Sequence, residues 1–357
     1  MLERMNNPPF ISKLKLKNYK NIVIEDKICF NNLSILIGPN GCGKSNLIGI
    51  FRFLKDCLTE PTDYITSLDE AIINLGGEKI LDRVIQIPAK VLFGSEFNHV
   101  IEEIIYFDVE VSIDNDRGLF CYISREALYS PNNRIFYETH LGKGFVLVGN
   151  DNNELKDMPQ DEVMLKYLPI LLNNNEIPAY TVPAYKIREN MIEIISKWHF
   201  YNSNYMDINE IRLSEPKLRT GDIFLSSNCE NLARVIYNLF QKDVDFDEKL
   251  NQAIKQILPT TKKVRAIHAG ELSLTVEWHV EGMKEPFYLY EMSDGMVRMS
   301  CWAVMLHSPR LPSLLIIEES ASERTQVIIS THSPDLLDHF TDRVEDVICF
   351  HFDGKSH

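Results

Sequence analysis

Eight consecutive residues, GPNGCGKS from Gly38 to Ser45, carry the most specific chemistry in this sequence. They fill the pattern G-x-x-x-x-G-K-[ST] at every fixed position. Glycines in such a loop let successive backbone N–H groups turn inward around a phosphate. The lysine adds a positive charge on the β- and γ-oxygens, and the hydroxyl that follows offers a ligand to Mg²⁺. Gly38, Pro39, Asn40, Gly41, Cys42, Gly43, Lys44, Ser45 and the adjoining Asn46 are therefore the candidate nucleotide-binding residues, with Ser45 also a metal ligand. An ordinary tight turn would match all four fixed positions by chance in roughly one chain in a hundred of this length.

A phosphate loop needs a partner acid, and the stretch SLLIIEESASERTQVIISTHSPD, 313–335, supplies one. The apolar run Leu314–Ile317 ends in Glu318 and Glu319. Glu318 is expected to complete the Mg²⁺ shell and Glu319 to orient or deprotonate the attacking water, so that catalysis is positioning plus charge neutralisation. The next apolar run, QVIIS, leads into His332, at the strand end where open α/β sheets bind ligands. An imidazole there can hydrogen-bond a γ-phosphate. Only Ser320–Gln326 join the two runs. Two parallel strands need a crossover of about a dozen residues or more, usually a helix. The expectation is that roughly 15–25 residues, a helix and a turn, are absent between Glu319 and Ser322.

A third feature is EMSDGMVRMSCWAVML, 291–306, a Ser-Asp-Gly turn opening an apolar helix. Ser293 is its expected N-cap, and the free N–H groups of the first turn make an anion site shared with Asp294 and Gly295.

These residues require an α/β scaffold. LSILI, 33–37, is a continuous apolar run of the kind that forms a buried parallel strand. SNLIGIFRFLKDCL, 45–58, has helical spacing directly after the Gly-rich loop. ISKLKLK, 11–17, alternates and reads as a half-exposed edge strand with Lys13, Lys15 and Lys17 on one face, and a second strand is expected around Ile22–Phe30. From about Val91 to Val148, β-branched and aromatic residues punctuated by Asn115-Asp116, Pro131-Asn132-Asn133 and Gly142 predict an antiparallel meander. DEVMLKYLPILL, RENMIEIISKWHFY, CENLARVIYNLFQ and FDEKLNQAIKQIL read as amphipathic helices, and ELSLTVEWHV, 271–280, as a strand. The expected division is an ATPase lobe over 1–160 with the phosphate loop and meander, a helical insertion over 161–225, and a second lobe over 226–357.

Composition bounds the rest. The 357 residues carry 45% apolar and 25% charged side chains, as ordinary globular domains do, with a net charge of −14. No global basic field favours nucleic acid, so any such contact needs a local face. Apolar runs are too short to span a membrane, and the N-terminus lacks the apolar core of a secretory signal. Seven scattered cysteines with no CxxC pair predict free thiols in a reducing cytoplasm and no zinc site.

In this order the pieces resemble the ATP-binding-cassette ATPases of the RecF/SMC type, and more narrowly the short prokaryotic AAA-family ATPases of the OLD- and Septu-like group. The opening ISKLKLKNYKNI…NNLSILIGPNGCGKSNLI, the signature-like MSDGMVR, the Walker-B-like LLIIEES and the switch-histidine segment TQVIISTHSPDLLD carry the resemblance, with SKWHFYNSN and SSNCENLARVIYNL between them. It implies an ABC-type ATPase head: a mainly parallel core sheet, an antiparallel β meander and a helical insertion. It further implies ATP and Mg²⁺ as cofactors, and a homodimer formed head to tail on ATP. Lys44, Ser45, Glu318, Glu319 and His332 of one copy would then face Ser293 of the other, and Asn18–Lys20 would border the nucleotide.

The sequence also departs from that pattern. It has no zinc-hook coiled coil, Asp294 stands where transporters carry Gly, and the 25 residues after His332 are too few for the Toprim nuclease of OLD proteins. The expectation is thus a cytoplasmic, ATP-driven dimerisation switch in DNA maintenance or anti-phage defence. Its effector would be a separate nuclease-like protein, and DNA is a partner on the family analogy and the Lys13/Lys15/Lys17 stripe. The alternative is a nucleotide-dependent scaffold with little turnover. A transporter subunit fits worst, because it calls for a Gly-Gly signature.

Overall fold

A computed structural model describes residues 10–22, 26–58, 67–81, 89–98, 100–114, 120–201, 206–214, 216–217, 221–309, 312–317, 326–331 and 342–350. The chain divides into two units, Met1–Trp198 with Gln326–His357, and His199–Thr325.

The first unit opens with β1 (Ile11–Lys17), β2 (Ile28–Cys29), β3 (Leu33–Ile37), α1 (Lys44–Leu58) and α2 (Ser67–Leu75). The meander follows as β4 (Ala89–Phe97), β5 (Ile105–Asp114), β6 (Phe120–Tyr129), β7 (Ile135–His140), β8 (Lys143–Val148) and β9 (Asp151–Leu155), then α3 (Met164–Asn174) and α4 (Pro183–Ser196). Strands β2-β1-β4-β5-β6-β7-β8-β9 form one antiparallel sheet in that order, so the meander runs one hairpin further than its sequence signals suggest. Leu141 and Gly142 both have positive φ, the backbone that a tight two-residue hairpin demands.

Three sequence expectations change in this sheet. Among the described residues, the strand expected around Ile22–Phe30 is the two-residue β2, with Ile22 bridging back to Tyr19. Strand β1 is not the edge, because β2 pairs outside it and β4 inside. The lysine stripe is also broken: Lys13 bonds both carboxylate oxygens of Glu96, at 2.6 and 2.7 Å, leaving Lys15 and Lys17 exposed. That bond holds the Lys13 ammonium above its ordinary pKa.

The second unit starts within β10 (Trp198–Tyr201) and contains α5 (Ile208–Leu213), α6 (Leu232–Lys242), α7 (Phe246–Ile257), β11 (Thr261–His268), β12 (Leu274–Val280), β13 (Phe287–Tyr288), α8 (Asp294–His307) and β14 (Leu314–Ile317). Trp198–Tyr201 reads as the end of a helix in sequence but is a strand. α4 stops at Ser196, and the Trp198 side chain turns into an aromatic cluster with Phe10 and Phe51. Aromatic residues favour such packing on a pleated strand over a helix end. Strands β11-β12-β13 form an antiparallel sheet against which α6 and α7 pack.

The chain then returns to the first unit with β15 (Gln326–Ser330) and β16 (Val347–Cys349). Both pair with β3 in parallel, one on each side, with Ile35 opposite Ile329 and Val347. This is the parallel core expected from LSILI. Its helix, α1, is fixed by aromatic packing: Phe51 meets Phe30 and Trp198 at ring distances of 5.4 and 5.8 Å, and Phe53 meets Phe93 at 4.4 Å. Such pairs contribute about 0.5–1.5 kcal/mol each beyond area burial, so the helix that opens on the phosphate loop is rigidly seated.

Candidate nucleotide-binding site

Strand β3 ends at Ile37 and α1 begins at Lys44, so the loop expected to hold phosphate lies between a buried parallel strand and a helix N-terminus. Gly38, Gly41 and Gly43 have φ of 146°, 79° and 110°, conformations that L side chains rarely adopt. A Cβ on Gly38 would sit 2.6 Å from the Phe350 carbonyl oxygen and 2.8 Å from Cys42 Sγ, so the loop's first residue must be glycine on steric grounds too. Lys44 Nζ folds back to donate to the Gly38 and Pro39 carbonyls at 2.6 and 3.0 Å and lies 3.7 Å from Cys42 Sγ. Its ammonium is thus held over the loop. Pro39, Asn40, Gly41 and Ser45 are exposed. The first turn of α1 carries no acidic residue, so nothing there competes with an anion for the free N–H groups and the positive end of the helix dipole.

A second layer, mostly unread in the sequence, wraps this loop. The turn after β1 holds Asn18 and Lys20 in left-handed backbone, with φ of 61° and 47°. Tyr19 is fully buried and its hydroxyl donates to the Asn46 carbonyl at 3.1 Å. Asn21 Nδ2 donates to the Gly41 carbonyl at 2.8 Å, and Asn46 Nδ2 donates to Asn21 Oδ1 at 2.7 Å. Lys20 Nζ lies 3.1 Å from Asn46 Oδ1 and 5.5 Å from the Tyr19 ring centre, and burial pushes its ammonium below the ordinary pKa. Of the expected Asn18–Lys20, Tyr19 and Lys20 meet Asn46 at the start of α1 and Asn18 bonds the Lys90 carbonyl, while Asn21 is the residue that meets the loop itself. A Cβ on Gly49 would meet Tyr19 Oη at 3.3 Å and Leu75 Cδ2 at 3.1 Å, so a residue inside α1 is small to let this turn approach.

Of the remaining expected site residues, Glu318, Glu319 and His332 lie outside the described residues, as does the segment expected to be missing between Glu319 and Ser322. The strands that lead to them are in place. All four residues of β14 are buried. Thr331, next to His332 in sequence, donates its amide to the Leu36 carbonyl at 3.1 Å, level with the carboxyl end of β3. Ser45 is the one expected Mg²⁺ ligand among the described residues, and none of their His, Cys, Asp and Glu side chains gather in threes that could hold a metal.

In the second unit Ser293 is the N-cap of α8, its Oγ accepting from Met296 N at 3.3 Å as its place in the sequence suggests. Asp294 is paired with Arg212 of α5, a partner with no local sequence signal. Gly295 is open: a Cβ there would meet only Ser293 Oγ, at 4.0 Å. All seven cysteines are free thiols.

The family model described as "AAA domain, putative AbiEii toxin, Type IV TA system" matches residues 33–113 and 173–319, more than half of the chain. Its first stretch takes in β3 and the phosphate loop, and its second takes in Ser293 and β14. The chain belongs to this AAA-domain family. No curated protein matches this AAA domain. Among solved structures, the SMC head domain from Thermotoga maritima is similar at 13% identity and a TM-score of 0.39, over 92% of this chain and 91% of that one. The recombination mediator protein RecF with ATP is similar at 12% identity and a TM-score of 0.31, over 92% and 93%. The AAA-family part of the resemblance drawn from the motifs is borne out by the family model; the OLD- and Septu-like subgroup is not reached by these matches. No helix among the described residues is long and apolar enough to cross a membrane.

Proposed function

We propose that this AAA domain binds and hydrolyses ATP with Mg²⁺ and uses the nucleotide to bring two copies together. The observation that carries the proposal is the placing of Lys44 over a glycine loop at the free N-terminus of α1. Backbone N–H groups and the lysine take the phosphates, while the Ser45 hydroxyl and the Glu318 carboxylate hold the metal. Glu319 directs the attacking water and His332 meets the γ-phosphate. Positioning and charge neutralisation supply the catalysis, because phosphoryl transfer needs little else from a protein. Ser293, Asp294 and Gly295 of the second copy close the site from the other side, supported by a Ser293 hydroxyl whose proton is free to donate and by the open space over Gly295.

The biological reading is an ATP-driven dimerisation switch of defence or DNA maintenance acting with a separate, nuclease-like effector. Its defence part is supported by the family description, whose words are "putative AbiEii toxin, Type IV TA system". DNA as a further partner rests on a smaller local face than the sequence suggested, since Lys13 is neutralised by Glu96.

Phosphate release and light scattering with and without ATP test the proposal. Wild type is expected to turn over ATP and dimerise on it, Lys44→Ala to lose both, and Glu319→Gln to stop turnover while trapping the ATP dimer. Turnover by Glu319→Gln at the wild-type rate would overturn the catalytic assignment. Absence of turnover by wild type, with dimerisation retained, would favour a nucleotide-dependent scaffold.

A further inference from the structure

Arg212, from the six-residue helix α5, spends its guanidinium on the turn that opens α8. Its Nε donates to the Met292 carbonyl at 2.8 Å, a terminal nitrogen pairs with Asp294 Oδ1, and the other reaches Asn209 Oδ1 at 3.2 Å. Its own helix is steadied by Asp207, whose carboxylate accepts from Asn209 N at 2.8 Å and Glu210 N at 3.2 Å. Arginine's planar fork fixes the spacing of the groups it grips. Here those groups are the residues immediately before and after Ser293.

The consequence is local and specific. Met292 is buried with ψ of 142°, and Ser293 is extended at φ −64°, ψ 162° before the helix begins. Held on both sides, Ser293 keeps Oγ on the Met296 amide, so its hydroxyl proton is left for an outside acceptor. Asp294 is a difficulty for any anion acceptor. An unpaired carboxylate in the first turn would repel phosphate at the very N–H groups that attract it. Arg212 cancels that charge, and only a fifth of its side chain is exposed against two thirds of that of Asp294.

We propose that Arg212 is a positioning residue for the Ser293–Gly295 turn. It holds the serine hydroxyl and neutralises Asp294, so that the turn can receive the γ-phosphate of ATP held by a second copy of the chain. This rests on the reading of Ser293 as a contact in trans, and it accounts for how an acidic residue is tolerated in the signature.

The test compares Arg212→Ala, Arg212→Lys, Arg212→Ala/Asp294→Asn and Ser293→Arg for steady-state phosphate release, ATP affinity and thermal melting. Arg212→Ala is expected to lower kcat about ten-fold while leaving ATP affinity unchanged, since three charge-assisted bonds, two of them to the Ser293 turn, are lost far from the phosphate loop in sequence. Adding Asp294→Asn removes the exposed carboxylate and is expected to recover about threefold of that loss, which a role in folding alone would not produce. If Arg212→Ala fails to fold, Arg212→Lys carries the test: it keeps the charge without the two-pronged hold and is expected to lose about threefold in kcat. Inactive Ser293→Arg together with full turnover by Arg212→Ala or Arg212→Lys overturns this proposal alone. A double variant no faster than Arg212→Ala overturns the neutralising role. Wild-type turnover by Ser293→Arg overturns the trans reading and the proposal with it.

Discussion

Asn46, on the first turn of α1, donates its side-chain amide to Asn21 at 2.7 Å, and Asn21 in turn donates to the Gly41 carbonyl at 2.8 Å. Two side chains thus tie the helix end to the tip of the phosphate loop through a residue twenty positions upstream of that tip. A loop whose N–H groups must point at one centre gains from being fixed before the ligand arrives.

Asn21→Ala removes both bonds. At about 1 kcal/mol for a net hydrogen bond, ATP affinity is expected to fall roughly five-fold or more while the melting temperature moves little. Calorimetric titration with ATP checks this, and an unchanged affinity would show that the loop is preorganised without the asparagine.

Glu126 makes stability depend on pH. It lies buried on β6 of the meander, accepting from the Tyr137 hydroxyl at 2.5 Å and from the Met164 and Leu165 amides at 2.6 and 3.1 Å. Burial pushes its carboxyl up to about 7 from an ordinary 4.5, against the pull of those donors. Its folded-state pKa exceeds the unfolded one, so between pH 4.5 and 7 the native state binds the extra proton and stability declines as pH rises. The cost is absent below 4.5, complete above 7 and of order 3 kcal/mol. Urea midpoints from pH 5 to 8 should slope downward in wild type, and Glu126→Gln should flatten that slope.

Gly295→Ala separates folding from assembly. Its Cβ finds open space in the chain, and alanine gains up to about 1 kcal/mol over glycine in a helix. The melting temperature should hold or rise while ATP-driven dimerisation weakens, as read by light scattering. An unaffected dimer would mean that nothing approaches this turn.

Gly144→Ala should do the opposite. A Cβ there would lie 1.9 Å from the Glu138 carbonyl oxygen, so the β7–β8 hairpin must shift. Overpacking of this kind costs about 1–3 kcal/mol. A melting temperature equal to that of wild type would show the hairpin yields freely.

What sequence reading captured were local signals. LSILI followed by GPNGCGKS and a helical period placed β3, the loop and α1 almost to the residue, because each depends only on its neighbours in the chain. Alternation and turn residues likewise exposed the meander, and Ser293 announced its own cap. What escaped depends on distant partners. Asn21 looks like any polar turn residue until α1 brings Asn46 to it, and Arg212 shows no sign of Asp294, 82 residues on. Lys13 read as a free cation because Glu96 is 83 positions away. Trp198 continued a helical pattern until the Phe10 and Phe51 rings drew it into a strand.

The placing of β3 between β15 and β16 also sets a timetable for synthesis. Asn31, just before β3, bonds the Glu345 carbonyl and the Asp346 carboxylate, 314 and 315 residues later. At about 5–20 residues per second, some 15 s to 1 min passes between translation of the phosphate loop and translation of both strands that flank it. Until then β3 has two bare edges, and Phe350 is not yet there to shape the backbone at Gly38. A polypeptide cut short before β15 would therefore carry the full glycine-lysine motif without either of the strands that flank β3.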